Sequence, residues 1–62
     1  MNRVKLVRKF RRMQQKELAD LVGVSSAYIC DLENNRRGAK PETMERIANA
    51  LGVTVDDLKE VG

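Results

Sequence analysis

Apolar residues recur along the chain at intervals of three and four, the spacing that places side chains on one face of an α-helix. The pattern predicts five short helices and no β-strand. We expect these helices to form a compact, all-α fold. The inward positions are predicted to be Val4, Val7 and Phe10 in a first helix over about residues 2–12, Leu18, Leu21 and Val22 in a second, Ile29 and Leu32 in a third, Met44, Ile47, Ala48 and Leu51 in a fourth, and Val55, Leu58 and Val61 in a fifth.

Residues 15–34 contain the most specific pattern, two helices around a tight turn. Gly23 ends the second helix, because glycine accepts the left-handed conformation of a C-terminal cap, and the Ser25 hydroxyl can cap the third helix. Ala19 is small where the two helices would cross closely, and aliphatic residues follow the glycine by six and nine positions. This spacing predicts a helix-turn-helix, a motif that usually places its second helix in the major groove of DNA.

The later helix ends carry similar signals. Pro41 suits the first turn of the fourth helix, and Gly52 suits its C-terminal cap. Thr54 and Asp57 have the spacing of a capping box at the start of the fifth helix. Residues 34–40, rich in Asn, Gly and charge, are predicted to form a loop.

Length and composition argue against several classes of function. The chain has 62 residues, one Cys and no His, so we expect one domain over residues 1–62 with neither a disulfide nor a metal site. It has no apolar run long enough for a signal peptide or a membrane span, and we expect a cytoplasmic location. Cys30 has no His to activate it and no glycine-rich phosphate loop is present, so we expect no enzymatic activity, cofactor or small-molecule ligand.

Charge is unevenly distributed along the chain, although the formal net charge is only +3. From Glu42 onward, five acidic residues face two basic ones. Basic segments and an acidic end of the chain indicate that a polyanion would bind on one side of the molecule. The alternative is that these charges form an ordinary solvated surface. The basic residues lie mainly in two segments: Arg3, Lys5, Arg8, Lys9, Arg11, Arg12 and Lys16 in the first, and Arg36, Arg37 and Lys40 in the second.

The polar face of the third helix provides the candidate base-reading residues. If Ile29 and Leu32 face the core, helical spacing turns the opposite side outward. A serine can exchange a hydrogen bond with a base edge, an alanine can contact a thymine methyl, and an aspartate can accept from cytosine. An inert surface position is the alternative for each of the four candidates on this face. The predicted base-reading residues are Ser26, Ala27, Cys30 and Asp31.

Phosphate contacts are predicted around this helix. Gln15 lies at the start of the second helix, where free backbone N–H groups favour an anion. The cations of the 34–40 loop can reach the sugar-phosphate backbone. Tyr28 can reach a phosphate with its hydroxyl, or can instead be an ordinary residue at the edge of the core. The full predicted set is Gln15, Ser25, Tyr28, Asn34, Arg36, Arg37 and Lys40.

Four segments together resemble the Cro/cI-type (XRE) helix-turn-helix domain of phage and bacterial repressors. The resemblance covers about residues 4–58 and implies a lambda-repressor-like fold whose third helix recognises DNA. It also implies that Gln15 contacts a phosphate and braces a side chain of the third helix, and that Arg8 pairs with Glu33. The segments are VKLVR at 4–8, QKELADLVGVS at 15–25, YICDLEN at 28–34 and ANALGVTVDDL at 48–58.

The resemblance also implies binding to two-fold operators as a homodimer, with Val55, Leu58 and Val61 as possible interface residues. Three positions depart from the family pattern. Gln14 replaces the usual Ser or Thr before the second helix, Asn35 replaces a glycine, and Ala39 replaces a proline. The last two changes lie in the loop whose cations are predicted to bind phosphates.

Two functions are consistent with these features. The first is a sequence-specific DNA-binding transcriptional regulator, a repressor that occupies double-stranded DNA as a homodimer. The second is a protein-interaction module, such as an antitoxin-like or adaptor component, that retains the helix-turn-helix fold. The weak reading face, made of Ser, Ala, Cys and Asp, keeps the second function open.

Overall fold

The computed structural model describes residues 2–59, and these residues form five α-helices. The all-α, five-helix prediction is confirmed. No helix within residues 2–59 has the length and apolar composition needed to cross a bilayer. The helices are α1 (Val4–Phe10), α2 (Gln15–Val22), α3 (Ser26–Glu33), α4 (Pro41–Leu51) and α5 (Val55–Leu58).

The core lies between the helices and is built from aliphatic side chains of all five. α2 packs against both α3 and α4, and α4 also contacts α1 and α5. The small Ala19 side chain is buried on α2, where a larger group would separate the helices. The buried apolar residues are Val4, Leu18, Ala19, Val22, Ile29, Leu32, Ile47, Ala48, Leu51 and Leu58.

The predicted turn between α2 and α3 has the expected geometry. Gly23 has φ of +85°, a left-handed conformation that a side chain would disfavour. Its N–H donates to the carbonyl of Ala19, which ends α2. The Ser25 hydroxyl accepts a hydrogen bond of 3.0 Å from the backbone N–H of Tyr28 and caps α3. The turn therefore fixes the direction in which α3 leaves α2.

The other caps follow the sequence signals. Gly52 ends α4 with φ of +72°, and Pro41 is in the first turn of the same helix. Thr54 and Asp57 form a reciprocal capping box: the Thr54 N–H donates to Asp57 Oδ2 at 3.0 Å, and the Asp57 N–H donates to Thr54 Oγ1 at 3.3 Å. Gln14 keeps half of such a box, because its N–H donates to the Glu17 carboxylate at 3.3 Å.

The first helix differs from its prediction in length and in the face that it buries. α1 ends at Phe10 rather than near residue 12, and Arg12 follows with φ of +56°. Phe10 was expected to face inward but is 81% exposed. Val4 and Arg8 are the buried residues of α1, and Phe10 lies about 120° around the helix from Val4. Burial of Arg8 thus turns Phe10 toward solvent.

Leu21 was also expected to face inward, and it is 64% exposed. The buried arc of α2 runs from Leu18 through Val22 to Ala19. Leu21 lies about 60° from Leu18 on the side away from Ala19. Leu21 therefore lies outside the buried arc of α2.

Candidate nucleic-acid interface

A buried ion pair fixes the end of α3 to α1. Arg8 Nε donates to Glu33 Oε2 at 2.6 Å, and Arg8 Nη2 donates to Glu33 Oε1 at 3.1 Å. Only 7% of Arg8 and 1% of Glu33 are exposed. The third guanidinium contact is a 2.7 Å bond from Nη1 to the carbonyl of Met13. This bidentate geometry satisfies both buried charges.

Gln15 joins the same network from the first turn of α2. Its side-chain Nε2 donates to Glu33 Oε1 at 3.1 Å, so the amide braces a residue of α3, as the family resemblance implies. One N–H of this amide suffices for that bond, which leaves the second for another acceptor. Gln15 is half-buried at the N-terminal end of α2.

Asn2 holds the same end of α3 from the start of the chain, and it was not among the predicted site residues. Its Nδ2 donates to the carbonyl of Leu32 at 2.8 Å, and its Oδ1 accepts from the Val4 N–H at 3.0 Å. An asparagine just before a helix signals the second bond. The first joins residues 30 positions apart, and no local pattern indicates it.

The outward face of α3 contains all four predicted base-reading residues. Ser26 and Ala27 are exposed in the first turn, and Cys30 and Asp31 are half-exposed in the following turn. Ile29, on the opposite side, is fully buried. The structure thus gathers these four side chains on one accessible surface, the α3 face.

Asp31 lies beside a cation of the following loop. Its Oδ1 is 3.7 Å from Arg36 Nη1, and both side chains are substantially exposed. An exposed pair at this distance contributes little to stability. The carboxylate therefore keeps free acceptor positions, while Arg36 partly offsets its repulsion of a phosphate.

The segment after α3 presents three exposed cations. Asn35 adopts φ of +59°, so it provides the left-handed conformation usually supplied by glycine. The Arg37 guanidinium carbon lies 4.7 Å from the centre of the Tyr28 ring, a cation–π distance. Tyr28 is half-buried and packs against the core. Arg36, Arg37 and Lys40 are all exposed.

Two further predicted phosphate ligands have structural partners. The Ser25 hydroxyl accepts the cap bond from Tyr28, and its own hydrogen stays free to be donated. The Asn34 amide donates to the carbonyl of Cys30 at 2.8 Å and approaches its Sγ at 3.5 Å. Asn34 therefore extends the C-terminal end of α3 and covers one side of Cys30.

The possible dimer residues divide into three cases. Leu58 is fully buried within the core, so its assignment to an intermolecular contact is corrected: its surface is already used by the fold. Val55 is half-buried against the same core. Val61 lies outside the described residues.

Comparison with known proteins places this geometry in a family. A helix-turn-helix family profile matches residues 4–58. The immunity repressor protein of Bacillus phage phi105 is 38% identical over 53 residues, a match that covers 86% of this chain and 37% of the repressor. The transcriptional regulator DdrOP3 of Deinococcus deserti is 34% identical over 58 residues, covering 94% of this chain and 45% of the regulator.

A third relative, the transcriptional repressor RghR of Bacillus subtilis, is 36% identical over 56 residues, covering 89% of this chain and 42% of RghR. The chain thus spans less than half the length of these three relatives. Because the match covers nearly all of the helical core described above, the chain belongs to the XRE-type helix-turn-helix family.

Proposed function

We propose that this chain is the sequence-specific DNA-binding part of a transcriptional repressor, and that it places α3 in the major groove of an operator. One observation carries the proposal: the α3 face is accessible at its N-terminal half, where a groove-inserted helix reads bases. The names of three relatives, two repressors and a transcriptional regulator, agree with it.

The α3 face would supply direct readout. Ser26 can donate to or accept from a base edge, and Ala27 can contact a thymine methyl. Asp31 can accept from a cytosine amino group and disfavours bases that present an acceptor there. None of these groups makes the bidentate contact that Arg makes with guanine, so base preference should be modest at each position.

Contacts to phosphates would provide most of the affinity. Arg36, Arg37 and Lys40 follow α3 and are exposed, and Gln15 is the first residue of α2, where free backbone N–H groups favour an anion. Each phosphate neutralised by a cation releases counterions, so the affinity should fall steeply with salt. The neutral side chains of Ser25, Tyr28 and Asn34 would add further hydrogen bonds to phosphates.

We further propose that two copies bind a two-fold operator. A single module of this size covers about 600–1,000 Å² on DNA, whereas two copies double the contacts. Two recognition helices one helical turn apart would then read half-sites about 34 Å apart or a multiple of it. Val55, at the edge of the core on α5, remains a candidate for the contact between copies.

Selection of bound sequences from a random duplex pool tests these proposals together. We expect an enriched sequence with two-fold symmetry. Asp31→Asn should change the preferred base at one position of each half-site, at a cost of about 1–3 kcal/mol for the original site. No enrichment, combined with a salt-independent affinity, would instead favour a protein-interaction module.

Arg36→Ala separates phosphate contacts from base contacts. It should weaken binding to all sequences alike and reduce the salt slope by about one unit. Arg46→Ala is the matched control, because Arg46 is an exposed arginine on α4. Both variants can be compared by fluorescence anisotropy at two salt concentrations. Equal losses of affinity in both variants would contradict the proposal that the loop after α3 binds phosphates.

A further inference from the structure

Two large apolar side chains protrude from α1 on the side away from the core. Leu6 is 66% exposed and Phe10 is 81% exposed. They are four residues apart, so they lie one turn apart on the same face of the helix. Exposed apolar groups that form a contiguous patch indicate a contact surface, whereas scattered single ones do not.

A groove runs beside these side chains and makes the patch concave. Val7 and Val53 contribute to its lining together with Leu6 and Phe10, and its volume is about 370 Å³. Val53 lies in the turn between α4 and α5, so the groove is formed by two separate parts of the fold. A concave apolar surface with protruding edges accepts the side chains of an amphipathic helix.

The surroundings of the patch are cationic. Arg3 and Arg11 line the groove, and Lys5 and Lys9 line a second depression that shares Leu6. Asp57 also lies in the groove, but these four cations outnumber its single carboxylate. The electrostatic field over the patch therefore favours an anionic partner.

We propose that this α1 patch docks an acidic amphipathic helix of a partner protein. The partner's apolar side chains would enter the groove beside Leu6 and Phe10, and its carboxylates would face the surrounding cations. Packing the α1 patches of two copies against each other fits less well, because it would bring the same cations together. An anionic bilayer also fits less well, because two protruding side chains bury little area in lipid.

The proposed docking surface and the proposed base contacts lie on different helices. Leu6 and Phe10 belong to α1, whereas the proposed base contacts belong to α3. The proposal can therefore fail while the DNA-binding function holds, and the reverse is also possible. Docking on α1 would let a partner join the DNA-bound protein without competing for the α3 face.

A labelled helical peptide tests the proposal, with leucines one turn apart on one face and glutamates on the flanks. We expect saturable binding that Phe10→Ser weakens by about tenfold or more. Replacing the glutamates with lysines should weaken binding by a similar factor. Leu21→Ser is the control, because Leu21 is also a large apolar residue, 64% exposed, on a different helix, α2, and it should leave the affinity within about twofold.

The same variants distinguish an acidic helix from the other possible occupants of the α1 patch. Circular dichroism checks that Phe10→Ser retains the fold, which is expected for a side chain that makes little core contact. The proposal is overturned if the acidic peptide shows no Phe10-dependent binding. It is equally overturned if Phe10→Ser abolishes self-association of the free protein, binding to phosphatidylserine vesicles, or binding to duplex DNA.

Discussion

Neutralising Glu33 should remove a large part of the free energy of unfolding of this domain. A domain of 62 residues has a free energy of unfolding of about 3–9 kcal/mol. In Glu33→Gln the buried Arg8 guanidinium keeps its charge and loses its counterion, and an amide N–H₂ replaces one of the two acceptors that now hold it. Removing one partner of a buried pair costs about 3–5 kcal/mol.

Urea unfolding followed by circular dichroism measures this loss. Glu33→Gln should move the midpoint to low urea or leave the chain partly unfolded in buffer. Glu42→Gln is the matched control, because Glu42 is exposed in the first turn of α4. Loss of its favourable interaction with the helix dipole should cost less than about 1 kcal/mol.

A double variant distinguishes an uncompensated charge from a general loss of packing. Arg8→Met combined with Glu33→Leu removes both charges and retains much of the volume. Apolar replacement of a buried pair is often neutral, although the carbonyl of Met13 loses its donor here. The double variant should therefore be more stable than Glu33→Gln. If Glu33→Gln costs under about 1 kcal/mol, or the double variant is the less stable, the buried-pair reasoning is refuted.

Three further changes test the backbone and the caps, each by urea or thermal unfolding. Gly23→Ala should lower the free energy of unfolding by about 1–2 kcal/mol, because residue 23 has φ of +85° and the new methyl meets only open space, so backbone strain alone acts. Gly38→Ala, the control, should leave the free energy of unfolding unchanged. Equal effects of the two substitutions would contradict the strain argument. Arg12→Gly should raise the free energy of unfolding by up to about 1 kcal/mol, since Arg12 has φ of +56°, which glycine adopts without strain. Arg12→Ala keeps the strain and should not stabilise the protein. A hydrogen bond from the backbone N–H of Thr54 lowers the pKa of the Asp57 carboxyl below its ordinary value of 3.8. The stabilisation by the ionised carboxylate is therefore present above that pH and is lost as the pH falls through the lower folded-state pKa. Asp57→Asn should lose less stability than the original chain between about pH 5 and 2, and parallel acid profiles would contradict this.

Local chemistry explains why so much of the helical framework follows from the sequence. Gly23 and Gly52 both adopt positive φ, and Ser25 and Thr54 both cap the helices that follow them. Each signal acts within a few residues, so no knowledge of the tertiary structure is needed. The exposed face of α3 follows in the same way, because burial of Ile29 determines which side remains.

The failures arise where a distant partner decides the orientation of a helix. From periodicity alone, α1 could bury Phe10 as readily as any residue of its stripe. The selection is made by Glu33, 25 positions away, because a buried carboxylate requires a cation and Arg8 supplies it. Once Arg8 faces inward, Phe10 must face solvent, and the apolar patch on α1 results. The pair that fixes the end of α3 thus also exposes the apolar patch on α1, and neither consequence can be derived from either segment by itself.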